Sequence, residues 1–111
     1  MSGQVTFGAT GTVMVNFGVP VNELWFFAGS RDATVETSGL SSVGHADAGY
    51  QFCRFDKDGK AERDKTRCLT TYDVAGNKVL QFKVTGGWGT SVITFSVTAA
   101  NNNYPFDVVV N

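Results

Sequence analysis

Residues 22–28 read NELWFFA, which sets Leu24, Trp25, Phe26 and Phe27 in a row. A β-strand turns successive side chains to opposite faces. In a strand, then, Leu24 and Phe26 point one way, and Trp25 and Phe27 the other. A small domain has one interior, so the second pair needs separate cover. Burying a large aromatic side chain is worth roughly 1.5–3 kcal/mol, which makes two rings left in water costly. The stretch predicts an outer sheet face covered by a second copy of the chain or by a loop of the same chain, with 38–49 as the candidate loop. Val109, set between Val108 and Val110, repeats the anomaly more weakly. Trp25, Phe27 and Val109 are therefore the expected oligomer interface.

Working outward from this strand, most of the chain alternates cleanly. Val5 and Phe7 precede the break GATG, and Val13, Val15 and Phe17 follow it, which reads as a hairpin. ATVET (33–37) is a weak strand, and 38–49 is a Gly-punctuated loop. YQFCRFD (50–56) and TRCLTTYD (66–73) flank a charged tip and read as a second hairpin. Leu80, Phe82 and Val84 share a face, as do Ile93, Phe95, Val97 and Ala99, and Phe106, Val108 and Val110. Helix signals are nearly absent. Eight or nine short strands at this spacing predict an all-β fold, a single antiparallel β-sandwich of jelly-roll or Ig-like type spanning residues 1–111.

Composition narrows the function classes. The 111 residues carry a formal net charge of −1, and only 17% are charged, against a usual quarter. Nucleic-acid binding is not expected, because phosphate neutralisation needs a basic surplus. No apolar run approaches the roughly 18 residues that span a membrane. After Met1 there is neither a basic n-region nor an apolar h-region, so no membrane association and no ordinary signal-peptide export are expected. A chain of this kind acting outside a cell would leave it by another route, such as lysis.

Few residues suggest chemistry. Cys53 and Cys68 sit symmetrically about the middle of the segment 56–65, so in a hairpin of that register they face each other at disulfide distance. Two reduced, buried thiols are the alternative. DKDGKAERD (56–64) offers four carboxylates but lacks EF-hand glycine placement and carries interspersed cations, so a solvated turn is expected rather than a metal site. His45 is the single histidine and reads as a polar loop residue. With no GxSxG and no HExxH, no catalytic residues, no metal ligands and no cofactor are expected. Trp88, between glycines in GGWGT, offers a platform for stacking a sugar ring or a plug for the end of the sandwich; Tyr50 and Tyr104 are the accompanying candidate ligand-binding residues.

The stretches FGATGTVMVNFGVPVNELWFFAG, VGHADAGYQFC and GGWGTSVITFSVTAANNNYPFDVVV, taken in order, resemble small β-sandwich modules of bacteriophage tail fibres and, more weakly, H-type lectin domains. The resemblance implies a non-enzymatic virion structural protein, a tail, fibre or capsid-surface component. It further implies a location on the particle surface, self-association (commonly as a trimer), contact with other virion proteins and contact with a host-surface glycan. A free carbohydrate-binding module or lectin is the alternative reading.

Overall fold

The alternating segments form ten strands among the described residues, which in the computed structural model are 1–28, 41–73, 75–101 and 103–111. In chain order these are β1 (Ser2–Thr6), β2 (Gly11–Asn16), β3 (Glu23–Ala28), β4 (Ser42–Asp47), β5 (Gln51–Lys57), β6 (Lys60–Asp64), β7 (Leu69–Tyr72), β8 (Lys78–Gly86), β9 (Val92–Ala100) and β10 (Pro105–Val110). They make two antiparallel sheets, one of six strands in the order β1-β10-β3-β4-β5-β6 and one of four in the order β2-β9-β8-β7. The expected β-sandwich is the observed fold.

The inner faces meet in an aromatic core. Phe26 and Phe106 come from the six-stranded sheet, and Phe82 and Phe95 from the four-stranded one, all at most 2% exposed. Phe7, just beyond β1, wedges among them with ring centroids 5.2–5.3 Å from Phe82, Phe95 and Phe106. Leu24, Leu69, Leu80 and Ile93 fill the space around the rings. The final strand inserts between β1 and β3, and the chain ends tie off there. The Val110 amide donates to the Met1 carbonyl at 2.7 Å, and the amides of Asn22 and Glu23 donate to the Asn111 carbonyl at 2.7 and 3.0 Å.

Three connections differ from the sequence reading. β1 and β2 are not a hairpin: β1 pairs with β10 and β2 with β9, so GATG carries the chain from one sheet to the other. The segment 38–49 is not all loop, because Ser42–Asp47 is β4. Its inward residues are Ser42, Gly44 and Ala46, too small to register as an apolar period. The added Cβ of any larger residue at Gly44 would lie 1.5 Å from the Cys68 carbonyl oxygen. The weak strand expected at 33–37 lies outside the described residues.

The third difference moves the cysteines. The hairpin after β5 turns at Asp58 and Gly59, both at positive φ (52° and 76°), as a two-residue Asp-Gly turn requires. That tight turn pairs Cys53 with Asp64, not with Cys68. β7 then crosses to the other sheet and pairs with β8. The expected Cys53–Cys68 disulfide is not formed, and both residues are free, buried thiols. Cys53 donates to Thr70 Oγ1 at 3.6 Å and Cys68 to the Phe82 carbonyl at 3.5 Å. Burial pushes the Cys53 thiol up to about 11 and raises the Cys68 thiol as well, and thiols so held form little of the reactive thiolate. Without reductant, the native protein should resist a thiol reagent, and two thiols per chain should react once denaturant is added. Two unreactive sulfurs in denaturant would instead establish the disulfide.

Candidate functional site

Register places the opening stretch at the centre of the outer face. One row across the six-stranded sheet runs Val109, Trp25, His45 and Phe52; the next runs Asp107, Phe27, Val43 and Arg54. The expected interface residues Trp25, Phe27 and Val109 thus share one face, with Val109 directly opposite Trp25. Their cover differs. Trp25 is half-buried, its ring centroid 4.4 Å from His45 and 6.5 Å from Phe52. Phe27 remains 42% exposed. It borders an open cleft of about 600 Å³ shared with Val43, Arg54, Phe55, Pro105 and Asp107.

A polar cluster adjoins the aromatic one. Glu23 and Asp47 are opposite each other across β3 and β4, and Trp25 and His45 form the next pair on the same face. Residues i and i+2 on two adjacent strands thereby bring four side chains together. His45 Nε2 lies 3.0 Å from Glu23 Oε2 and 4.0 Å from Asp47 Oδ2. The remaining carboxylate oxygens are engaged. Glu23 Oε1 accepts from Trp25 Nε1 and Asn111 Nδ2, each at 3.1 Å. Asp47 Oδ1 accepts from the amides of Gly49 and Tyr50 at 2.7 and 3.0 Å. The His45 hydrogen bond, followed by that from Trp25, lowers the Glu23 carboxyl below the ordinary carboxylate range, and the two amides do the same for Asp47.

His45 is therefore not a polar loop residue. It is 2% exposed, held on an outer strand face by Trp25, Tyr50 and Phe52, with Tyr50 stacked on Phe52 at 6.0 Å and 6°. Its Nδ1 is buried without a hydrogen-bond partner. Glu23 carried no sequence signal of its own. The spacings E-x-W and H-x-D become informative only when both segments are strands, and reading 38–49 as a loop concealed them.

Of the candidate ligand-binding residues, Trp88 and Tyr50 lie toward one end of the sandwich and Tyr104 toward the other. Trp88 is held between Gly87 and Gly89, both at positive φ, and packs partly buried against the core. That partial burial is what a plug at the end of the sandwich would show. The Gly89 amide bonds the Val21 carbonyl at 2.8 Å, placing that turn at the Glu23 end of β3. Tyr50, 60% exposed, stands at the same end beyond β4. Tyr104 leads into β10 at the opposite end, the Phe27 end of β3, and also packs on the core. The chain matches no family model, no curated protein and no solved structure.

Proposed function

We propose that this protein is a non-enzymatic structural module of a bacteriophage particle that associates with copies of itself through the outer face of its six-stranded sheet. The observation that carries the reading is Phe27. Its strand neighbour Trp25 is covered by side chains of its own sheet, but that cover stops one row short. Phe27 stays 42% exposed on the third of six strands, one residue from the end of β3, beside Val43 and the apolar wall of the cleft. A large ring left open on an interior strand, rather than on an edge strand, is best covered by a docked surface. The virion assignment comes from the sequence resemblance, and the low charge of the chain is in keeping with packing among other particle proteins. Tyr50, exposed on the same face, is the residue best placed to meet a host glycan.

Sedimentation equilibrium tests the self-association. The protein is expected to sediment as an oligomer, a trimer by the resemblance, at micromolar concentration. Phe27→Asp is expected to sediment as a monomer with an unchanged circular dichroism spectrum, because the side chain lies outside the core. A wild-type chain that stays monomeric across this range overturns the proposal.

A further inference from the structure

The geometry points to a divalent transition-metal site, of the kind that takes Zn²⁺, formed by Glu23, His45 and Asp47 on the outer face of β3 and β4. It goes beyond the assembly reading and is independent of it. One ligand atom from each residue converges, and all lie within 4.8 Å of one another. Zinc bonds to nitrogen and oxygen of about 2.0–2.2 Å separate tetrahedral ligands by about 3.3–3.6 Å. The Glu23 contact of 3.0 Å and the Asp47 contact of 4.0 Å to Nε2 bracket that spacing. Small rotations of the two partly exposed carboxylate side chains would complete it, leaving the outward position to water.

The three groups are aimed as well as near. Each carboxylate has one oxygen tied by N–H donors, Glu23 by Trp25 and Asn111 and Asp47 by the amides of Gly49 and Tyr50, while the other faces His45. Such supporting bonds orient metal ligands. The imidazole is a separate indication. It is 2% exposed and fixed between aromatic rings with Nε2 turned into the cluster. Without a cation, the 3.0 Å contact needs the ring proton on Nε2. Zinc would take the Nε2 lone pair in place of that proton. Two carboxylates then balance the charge of one divalent ion.

The donor set selects the ion. One imidazole and two carboxylates suit zinc and its first-row neighbours, whereas Mg²⁺ and Ca²⁺ favour oxygen-only sets. Both thiols are buried, and neither is among the three converging ligands. No metal ligands were expected from the sequence, which has a single histidine and no CxxC; the strand register creates the set.

The test is calorimetric titration of the untagged chain with zinc chloride, with the imidazole signals followed by NMR. His45 is the single histidine, so those signals are unambiguous. One equivalent of zinc per chain is expected, moving the His45 ring resonances, with no comparable response to magnesium. Asp47→Asn keeps the oxygen that accepts from Gly49 and Tyr50 but loses the charged ligand, and Glu23→Gln does the same at Trp25. Each should weaken binding at least tenfold while the thermal midpoint without metal stays close to wild type. Absence of binding at millimolar zinc, or equal affinity in wild type and both variants, overturns the proposal.

Discussion

Gly44→Ala should abolish most of the stability of this protein. Gly44 sits in β4 between Phe26 and Cys53 on the flanking strands, with its α-carbon facing β7 of the other sheet. A Cβ placed there would lie 1.5 Å from the Cys68 carbonyl oxygen and 2.7 Å from the carbonyl carbon. Both are backbone atoms, and no rotamer change moves them aside. The sheets are pinned beside the contact, where Ser42 Oγ donates to the Thr70 carbonyl at 2.6 Å and Thr71 Oγ1 donates to Ser42 Oγ at 3.1 Å. Cys68 is itself tied to β8 of its own sheet, its amide bonding the Phe82 carbonyl at 3.0 Å. Relief requires β4 and β7 to separate and the two Ser42 bonds to break. Overpacking of this severity belongs to the rare class of single changes that cost about 4 kcal/mol or more, out of a total of about 5–15 kcal/mol for a domain. Thermal and urea unfolding followed by circular dichroism give the measurement. Gly3→Ala is the control, since nothing lies within 4 Å of its added Cβ. If the two variants unfold alike, the close approach of β4 to β7 is wrong.

The same corner marks where sequence reading succeeds and where it stops. Strands with large inward residues are plain in the sequence. Leu80, Phe82 and Val84, then Ile93, Phe95 and Val97, then Phe106, Val108 and Val110 all face the core as their alternation indicates. β4 is hidden because close packing against β7 demands Ser42, Gly44 and Ala46 inside, and small residues leave no hydrophobic period. β6 is hidden for a different reason. It is an edge strand, and its Lys60, Glu62, Arg63 and Asp64 are the charges that protect an edge from pairing with other chains. Read as part of a loop, those charges displaced the hairpin from Asp58–Gly59 and drew Cys68 opposite Cys53 in error.

The candidate sites follow the same logic. The outer-face role of Trp25 and Phe27 is legible from four consecutive apolar residues, because no single-sided strand accommodates them. What the sequence cannot display is how far a neighbouring strand covers each ring. His45 and Phe52 reach Trp25 and leave Phe27 open, a distinction set by the register of β4. The Glu23–His45–Asp47 cluster depends on that register too. Its members are more than 20 positions apart in sequence at Glu23 and His45, and they meet only because Glu23 stands opposite Asp47.

Phe82→Ala is expected to lower the thermal midpoint by about 15 °C, corresponding to a loss of about 3–5 kcal/mol. Phe82 is the hub through which the two sheets grip each other. Its ring lies 5.2 Å from Phe7, 5.2 Å from Phe26, 5.4 Å from Phe95 and 4.8 Å from Phe106, centroid to centroid. Two of those rings, Phe26 and Phe106, belong to the opposite sheet, and Phe7 belongs to the crossover between sheets. Three of the four contacts are edge-on, an arrangement worth about 0.5–1.5 kcal/mol per pair beyond the area buried. Removing the ring leaves a cavity lined by rigid groups on two pinned sheets, which limits collapse and places the cost at the upper part of the range for such changes. Phe27→Ala makes the comparison sharp, since that ring is also aromatic and on a central strand but lies on the outer face, where truncation should change monomer stability by about 0.5 kcal/mol or less. Melting both variants at a concentration low enough to keep the chains apart separates the inner face of the sheet from the outer one. Equal losses in the two would mean that Phe82 is not the hub of the core.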